Sequence, residues 1–207
     1  MTKHLENSLN SKPSRQDGFS FIEVMFVMII VIVIAGMAIP VVMTMINNLR
    51  IAGDANDLNS AILLTKMRAA ADFARARVYA DLSANTFHVE IFTSGDTQWR
   101  SEGGTQYLTK NATFGFGSLT TAPSGVASLT QASACLKDDM VASNTYSNTA
   151  CIMFNSRGIP VDNSMAATAN DAIYVTNGGT TTGVTVSATG LTKVWQTGAS
   201  AANWQQR

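Results

Sequence analysis

The chain has 207 residues, 14 basic and 14 acidic side chains, two cysteines and 46% apolar residues. A charged fraction of 14% with no net charge excludes a polybasic nucleic-acid binder and a chain that is disordered throughout, both of which need charge that is missing. Between Asp17 and Arg50 the only ionisable side chain is Glu23, so the apolar content is concentrated in one place.

Val24 to Ile46 forms an uncharged apolar run of 23 residues. As a helix it spans roughly 34 Å, enough to cross a bilayer. The length of the run argues against a buried core helix of a soluble protein. Lys3, Lys12 and Arg15 precede the run and the first cation after it is Arg50, so the positive-inside bias puts the N-terminus in the cytoplasm and the remainder across the inner membrane. A removable secretory signal fits poorly, because Ala35-Gly36-Met37-Ala38 has the wrong spacing for the usual cleavage pattern and the run is too long.

Glu23 is the informative residue. A carboxylate in a membrane segment is costly and needs a partner, and no cation within the segment supplies one. A cut between Gly18 and Phe19 would create an α-amine one helical turn away, in the same subunit or a neighbouring one.

Gly18-Phe19-Ser20-Phe21-Ile22-Glu23-Val24 resembles the type IV prepilin signal, with glycine at the cut, phenylalanine at the new terminus and glutamate fifth. The resemblance implies cleavage after Gly18 by a prepilin peptidase, methylation of the Phe19 amine, and retention of the apolar helix as a filament core. Glu23 then sets the register between subunits. Pro40 matches the proline that kinks or melts this helix in pilins, and physically it removes a backbone donor and crowds the preceding turn.

Beyond the run, Ile51, Ala55, Leu58, Ile62, Thr65, Ala69, Phe73, Ala76 and Ala80 recur at helical spacing, with Asp54, Asp57, Lys66, Arg68, Arg75 and Arg77 mostly off that stripe. The predicted organisation is a leader over 1–18, a membrane or filament-core helix over 19–46, an amphipathic helix over 47–82, and a β-rich head over 83–207 outside the cytoplasm. Gly53 weakens the helix near the membrane exit.

Period-two patterns predict strands at Thr86–Thr93, Cys151–Phe154 and Ala172–Thr176, and a hairpin of 183–188 with 191–195 about Thr189-Gly190. The fold class is therefore α+β, a long N-terminal helix packed on an antiparallel β-sheet head. Residues 117–149 and 161–171 read as long loops, decoration or partner contact. Cys135 and Cys151 are an even pair in a compartment that permits oxidation, which predicts a disulfide contributing on the order of 3 kcal/mol.

Phe154-Asn155-Ser156-Arg157-Gly158, the Ala172–Val175 strand and Val184–Gly190 are similar to the head of the GspH/FimT group of minor pilins and pseudopilins. This implies a minor pilin that joins or primes a type IV pilus, or alternatively a pseudopilin of a type II secretion system, or as a second alternative a DNA-binding minor pilin for natural transformation, with prepilin peptidase and other pilin subunits as partners. Some members proposed to bind DNA carry arginines directly after the final hairpin glycine and two residues later. Here those positions are Leu191 and Lys193.

Removing three basic and two acidic residues with the leader leaves 11 against 12, so the mature chain is not basic, which argues against nucleic acid as a partner. Lys193, Trp204 and Arg207 are the only candidates for a small patch. No catalytic constellation, cofactor motif or metal motif is found: once His4 leaves, His88 stands alone among histidines, and Gly115-Phe-Gly117 lacks the third glycine of a dinucleotide loop. Asp138-Asp139 and Asp162-Asn163 could offer oxygen ligands to calcium but read better as exposed loop charges.

Overall fold

A computed structural model describes residues 18–169, 171–199 and 201–207. The expected leader, apart from Gly18, lies outside the described residues. The chain divides into two units, 1–43 and 44–207, and helix α1 (Phe21–Ala71) runs without interruption through the described part of both. Pro40 and Gly53 both lie inside that helix, and neither unwinds it. A Cβ on Gly53 would meet nothing within 4 Å, so the glycine there is not demanded by packing.

In the second unit, α1 buries Ile51, Asp54, Ala55, Leu58, Ala61, Ile62, Thr65 and Ala69. The expected stripe therefore holds as far as Ala69, with Asp54 added to it. Thr65 is accommodated because its hydroxyl donates back to the Ala61 carbonyl at 2.7 Å.

The helix then stops at Ala71, and the expected continuation to 82 is corrected. The Ala74 N–H donates to the Ala69 carbonyl at 3.1 Å around Phe73, whose φ is +50°, a left-handed termination usually given to glycine. Phe73 is 85% exposed rather than on the buried stripe. Arg75–Asp81 is strand β1. Ala76 and Ala80 fit a period of two, with Val78 between them, as well as the helical stripe, and pairing on both edges of β1 decides the matter.

The head holds two five-stranded antiparallel sheets. The first has the order β3 (Arg100–Tyr107), β2 (Thr86–Phe92), β1, β5 (Thr149–Phe154), β6 (Pro160–Val161). The second runs β10 (Ala201–Gln206), β9 (Thr192–Gly198), β8 (Thr180–Val186), β7 (Asp171–Thr176), β4 (Thr113–Phe114). Their inner faces and the buried stripe of α1 share one core, with Leu58 and Ile62 from the helix, Val78, Phe87 and Ile152 from the first sheet, and Ile173 and Val184 from the second.

Lys66 ties the helix to a turn of each sheet. Its stem lies against Gly158, between β5 and β6, and its ammonium donates to the carbonyls of Thr189 and Gly190 at 3.2 and 3.0 Å. A side chain at Gly190 would meet the Gly158 carbonyl at 2.9 Å and the Lys66 ammonium at 3.0 Å, and φ there is +71°, so both space and backbone require glycine.

The long segments expected as loops carry little regular structure, yet they cover the outer faces of the sheets. Over the first sheet, Leu136 joins Trp99, Met153 and Val161 in a second apolar cluster. The Cys135–Cys151 disulfide, with Cα atoms 5.0 Å apart, fastens that segment to β5.

Beneath it lies Arg77, whose side chain is 2% exposed. The guanidinium donates to Glu90 Oε2 and to the Leu136 carbonyl, each at 2.6 Å, and lies 4.0 Å from the Trp99 ring centre. Burial lowers the Arg77 pKa, opposed by the charge of Glu90. Burial alone would raise the Glu90 carboxyl, but hydrogen bonding from His88 and the charge of Arg77 hold it below its ordinary value.

Over the second sheet, Gln131 imitates a strand, its amide donating to the Tyr174 carbonyl and accepting from the Tyr174 N–H. The Tyr174 ring lies on Gly183, where a Cβ would fall 2.5 Å from Cδ1.

Candidate functional site

The N-terminal unit is built from local signals. Gly18, Phe19 and Ser20 precede the helix in irregular backbone. The Ser20 carbonyl accepts from the N–H groups of Glu23 and Val24 at 3.0 and 3.2 Å, closing the first turn. Ser20 and Glu23 have the Ser-x-x-Glu spacing that suits a helix start. Glu23 lies in the first turn, where the unsatisfied N–H groups of the helix favour a negative charge.

Gly18 has open space around it and Phe19 is 82% exposed, so the peptide bond between them is accessible. From Phe21 to Ile46 the apolar side chains are exposed on every side of the helix. Its most apolar stretch has mean hydropathy 3.0 with none of it buried. A contiguous apolar surface of that size is not stable in water and demands lipid or other apolar helices. The helix is long and apolar enough to cross a membrane.

The other candidate residues are dispersed through the head. His88 Nε2 donates to Glu90 Oε1, 3.1 Å away, and the ring stacks on Tyr79. Asp138 accepts from the Trp99 N–H, Asp139 from the Val141 N–H and the Asn144 amide, and Asp162 from Ser164 and the Ala166 N–H. The bonds of Asp139 and Asp162 are local and form turns, whereas that of Asp138 ties its loop to Trp99, and among the described residues no three His, Cys, Asp or Glu side chains gather as a metal site. Gly115 and Gly117 are turn residues with positive φ.

Trp204, expected as part of a basic patch with Lys193 and Arg207, is half-buried. Its indole N–H donates to the Thr121 carbonyl at 2.8 Å and its ring lies 5.8 Å from that of Tyr174. Lys193 lies 5.9 Å from the Trp195 ring centre, and the Arg207 N–H bonds the Val194 carbonyl.

Asp54 was missed as a structural residue because it is charged, although its spacing from Ile51 and Leu58 places it on the buried face. It is 4% exposed and accepts from the N–H and hydroxyl of Thr109, the latter at 2.8 Å. Burial raises its pKa and the Thr109 bonds oppose the rise.

Compared with known proteins, residues 13–39 match the family model of the prokaryotic N-terminal methylation motif. No curated protein matches the chain, and no solved structure does. The chain thus carries a type IV prepilin-like motif, which indicates a pilin- or pseudopilin-like prepilin substrate and suggests anchoring in a membrane through its N-terminal helix.

Proposed function

We propose that the protein is a minor type IV pilin of the FimT-like kind, cut after Gly18 by a prepilin peptidase, methylated on Phe19, and taken into a pilus or its priming complex. The supporting observation is a prepilin motif running directly into an apolar helix with no exposed polar face, ahead of a separately packed head. Before assembly the helix spans the bacterial inner membrane with the head in the periplasm. On assembly it exchanges lipid for the helices of other subunits, a transfer between apolar surroundings that costs little.

Glu23 supplies the register. In a bundle of apolar helices an isolated carboxylate is strongly unfavourable, and the methylated amine of an adjoining Phe19 is the cation that relieves it. Pro40, which cannot donate a backbone hydrogen bond, gives the helix a weak point at which subunits adjust.

The test follows Glu23→Val through the pathway. Membrane insertion and cleavage should persist, read as loss of the leader mass, whereas incorporation into sheared filaments should fall at least tenfold. Filament incorporation at the normal level would refute the register role. An uncut chain in cells with an active prepilin peptidase would refute the prepilin assignment itself. Recovery with secretion components instead of pili would redirect the reading to a GspH-like pseudopilin.

A further inference from the structure

At the end of α1 that follows the apolar run, the head carries a recess of about 160 Å³. We infer that it binds the phosphate headgroup of an anionic phospholipid. Its walls include Arg50 and Lys110 with the amides of Asn47, Asn48, Asn111 and Asn177, and no Asp or Glu lines it. In a chain with equal numbers of acids and bases, a hollow with two cations, four amides and no carboxylate is selective for an anion.

The recess is held in shape by bonds that do not use its cations. On one side the turn carrying Lys110 and Asn111 is fixed by Asp54, which accepts from both the N–H and the hydroxyl of Thr109, and by the Ala112 N–H donating to the Thr109 carbonyl. On the other, the turn between β7 and β8 is fixed to the helix. The Asn177 amide donates to the Asn47 carbonyl at 3.4 Å, and the Thr180 hydroxyl donates to Asn48 Oδ1 at 2.9 Å. Neither Arg50 nor Lys110 forms an ion pair among the described residues. Asp54, one turn beyond Arg50 on α1, is occupied by Thr109.

Chain position distinguishes a lipid from free phosphate. Asn47 directly follows Ile46, the last residue of the apolar run, and Arg50 comes within one turn of it. At 1.5 Å per residue these side chains belong to the headgroup layer of any bilayer that α1 enters. A guanidinium fork and an ammonium are the groups that hold a phosphate there, and amides add neutral donors for its oxygens and the glycerol beyond. The site depends on anchoring of α1 in a bilayer and not on filament assembly; it would steady the head against the membrane until assembly removes the subunit.

The experiment uses the full chain in a neutral detergent, equilibrated with equal amounts of phosphatidylglycerol and phosphatidylcholine of the same acyl length, with bound lipid read by native mass spectrometry. Phosphatidylglycerol should be retained preferentially. Arg50→Gln and Lys110→Gln should each reduce that preference about fivefold, the effect of removing one cation from an anionic surface. The charge-conserving pair Arg50→Lys and Lys110→Arg should keep most of it, and Lys137→Gln, remote in sequence from the recess, should keep all of it. Equal retention of the two lipids, or a preference that survives loss of both cations, overturns the inference. Displacement of the lipid by millimolar inorganic phosphate would also overturn it in favour of a free-anion site. Resistance of the wild-type chain to alkaline carbonate extraction reports anchoring separately, so failure there is distinguishable from failure of headgroup selection.

Discussion

Replacing Arg77 by methionine removes the charge while keeping an apolar stem of similar length. The consequences can be worked from the contacts. Glu90, largely buried, loses the guanidinium bonded at 2.6 Å and keeps only His88, and the Leu136 carbonyl loses its 2.6 Å donor. Breaking a buried pair by removing one partner costs about 3–5 kcal/mol, because the remaining charge stays desolvated without its counterpart. Domain stabilities are typically about 5–15 kcal/mol, so Arg77→Met should remove roughly a fifth of the margin or more. Arg77→Met combined with Glu90→Leu removes both charges, and an apolar pair of suitable volume restores most of the loss.

The assay is urea unfolding of the full chain in mild detergent, followed by tryptophan emission, since Trp99 lies against the guanidinium. The double variant should be at least about 2 kcal/mol more stable than the sum of the two single losses predicts, a coupling expected only of groups in direct contact. Additive losses within about 0.5 kcal/mol, or a cost below about 1 kcal/mol for Arg77→Met, would refute the view that this pair supports the outer face of the first sheet.

Replacing both Cys135 and Cys151 by serine should lower stability by about 3 kcal/mol, given the sequence separation of 16, with a matching drop when the wild type is reduced before urea titration. Asp171 is pushed up to about 6 by burial and by the charge of Asp162, so the fold prefers its neutral form. Its ionisation penalty is therefore fully present above pH 6 and disappears as pH falls towards 4. Asp171→Asn should stabilise the head at pH 7 by on the order of 1 kcal/mol, allowing for partial exposure, and by nothing near pH 4 when compared by urea midpoint. Glu90 acts oppositely: its depressed value supports stability above about pH 4.5 that is lost at lower pH, where Glu90→Gln should narrow its deficit against the wild type.

Strands with one face in the core were legible because burial imprints a period of two. Thr86–Thr93 anticipates β2, Cys151–Phe154 and Ala172–Thr176 anticipate β5 and β7, and the turn at Thr189-Gly190 anticipates the pairing of Val186 with Thr192. Strand β3 was not legible, since Arg100–Tyr107 is an exposed edge carrying two adjacent glycines and buries too little to leave a pattern. Strand β1 was misread because alanines at 76 and 80 satisfy both periods. Lys66, Arg77 and Asp54 were obscured for another reason: a charged side chain does not announce that a distant segment will supply its partner.

By itself the sequence determined the N-terminal unit. A helix that satisfies its own backbone and, apart from Glu23, exposes apolar side chains needs no long-range contact to form, and the order Gly18, Phe19, Glu23 is read along the chain alone. Tertiary structure decided the rest. Whether residues 75–81 are helix or strand, whether two loops are loose or cover the sheets, and whether Arg50 and Lys110 share a hollow depend on groups 30 to 130 residues apart in sequence, as with Asn177 donating to the Asn47 carbonyl. Such contacts form only after chain closure, whose entropic cost is offset by burial spread over the whole core and recorded at no single position.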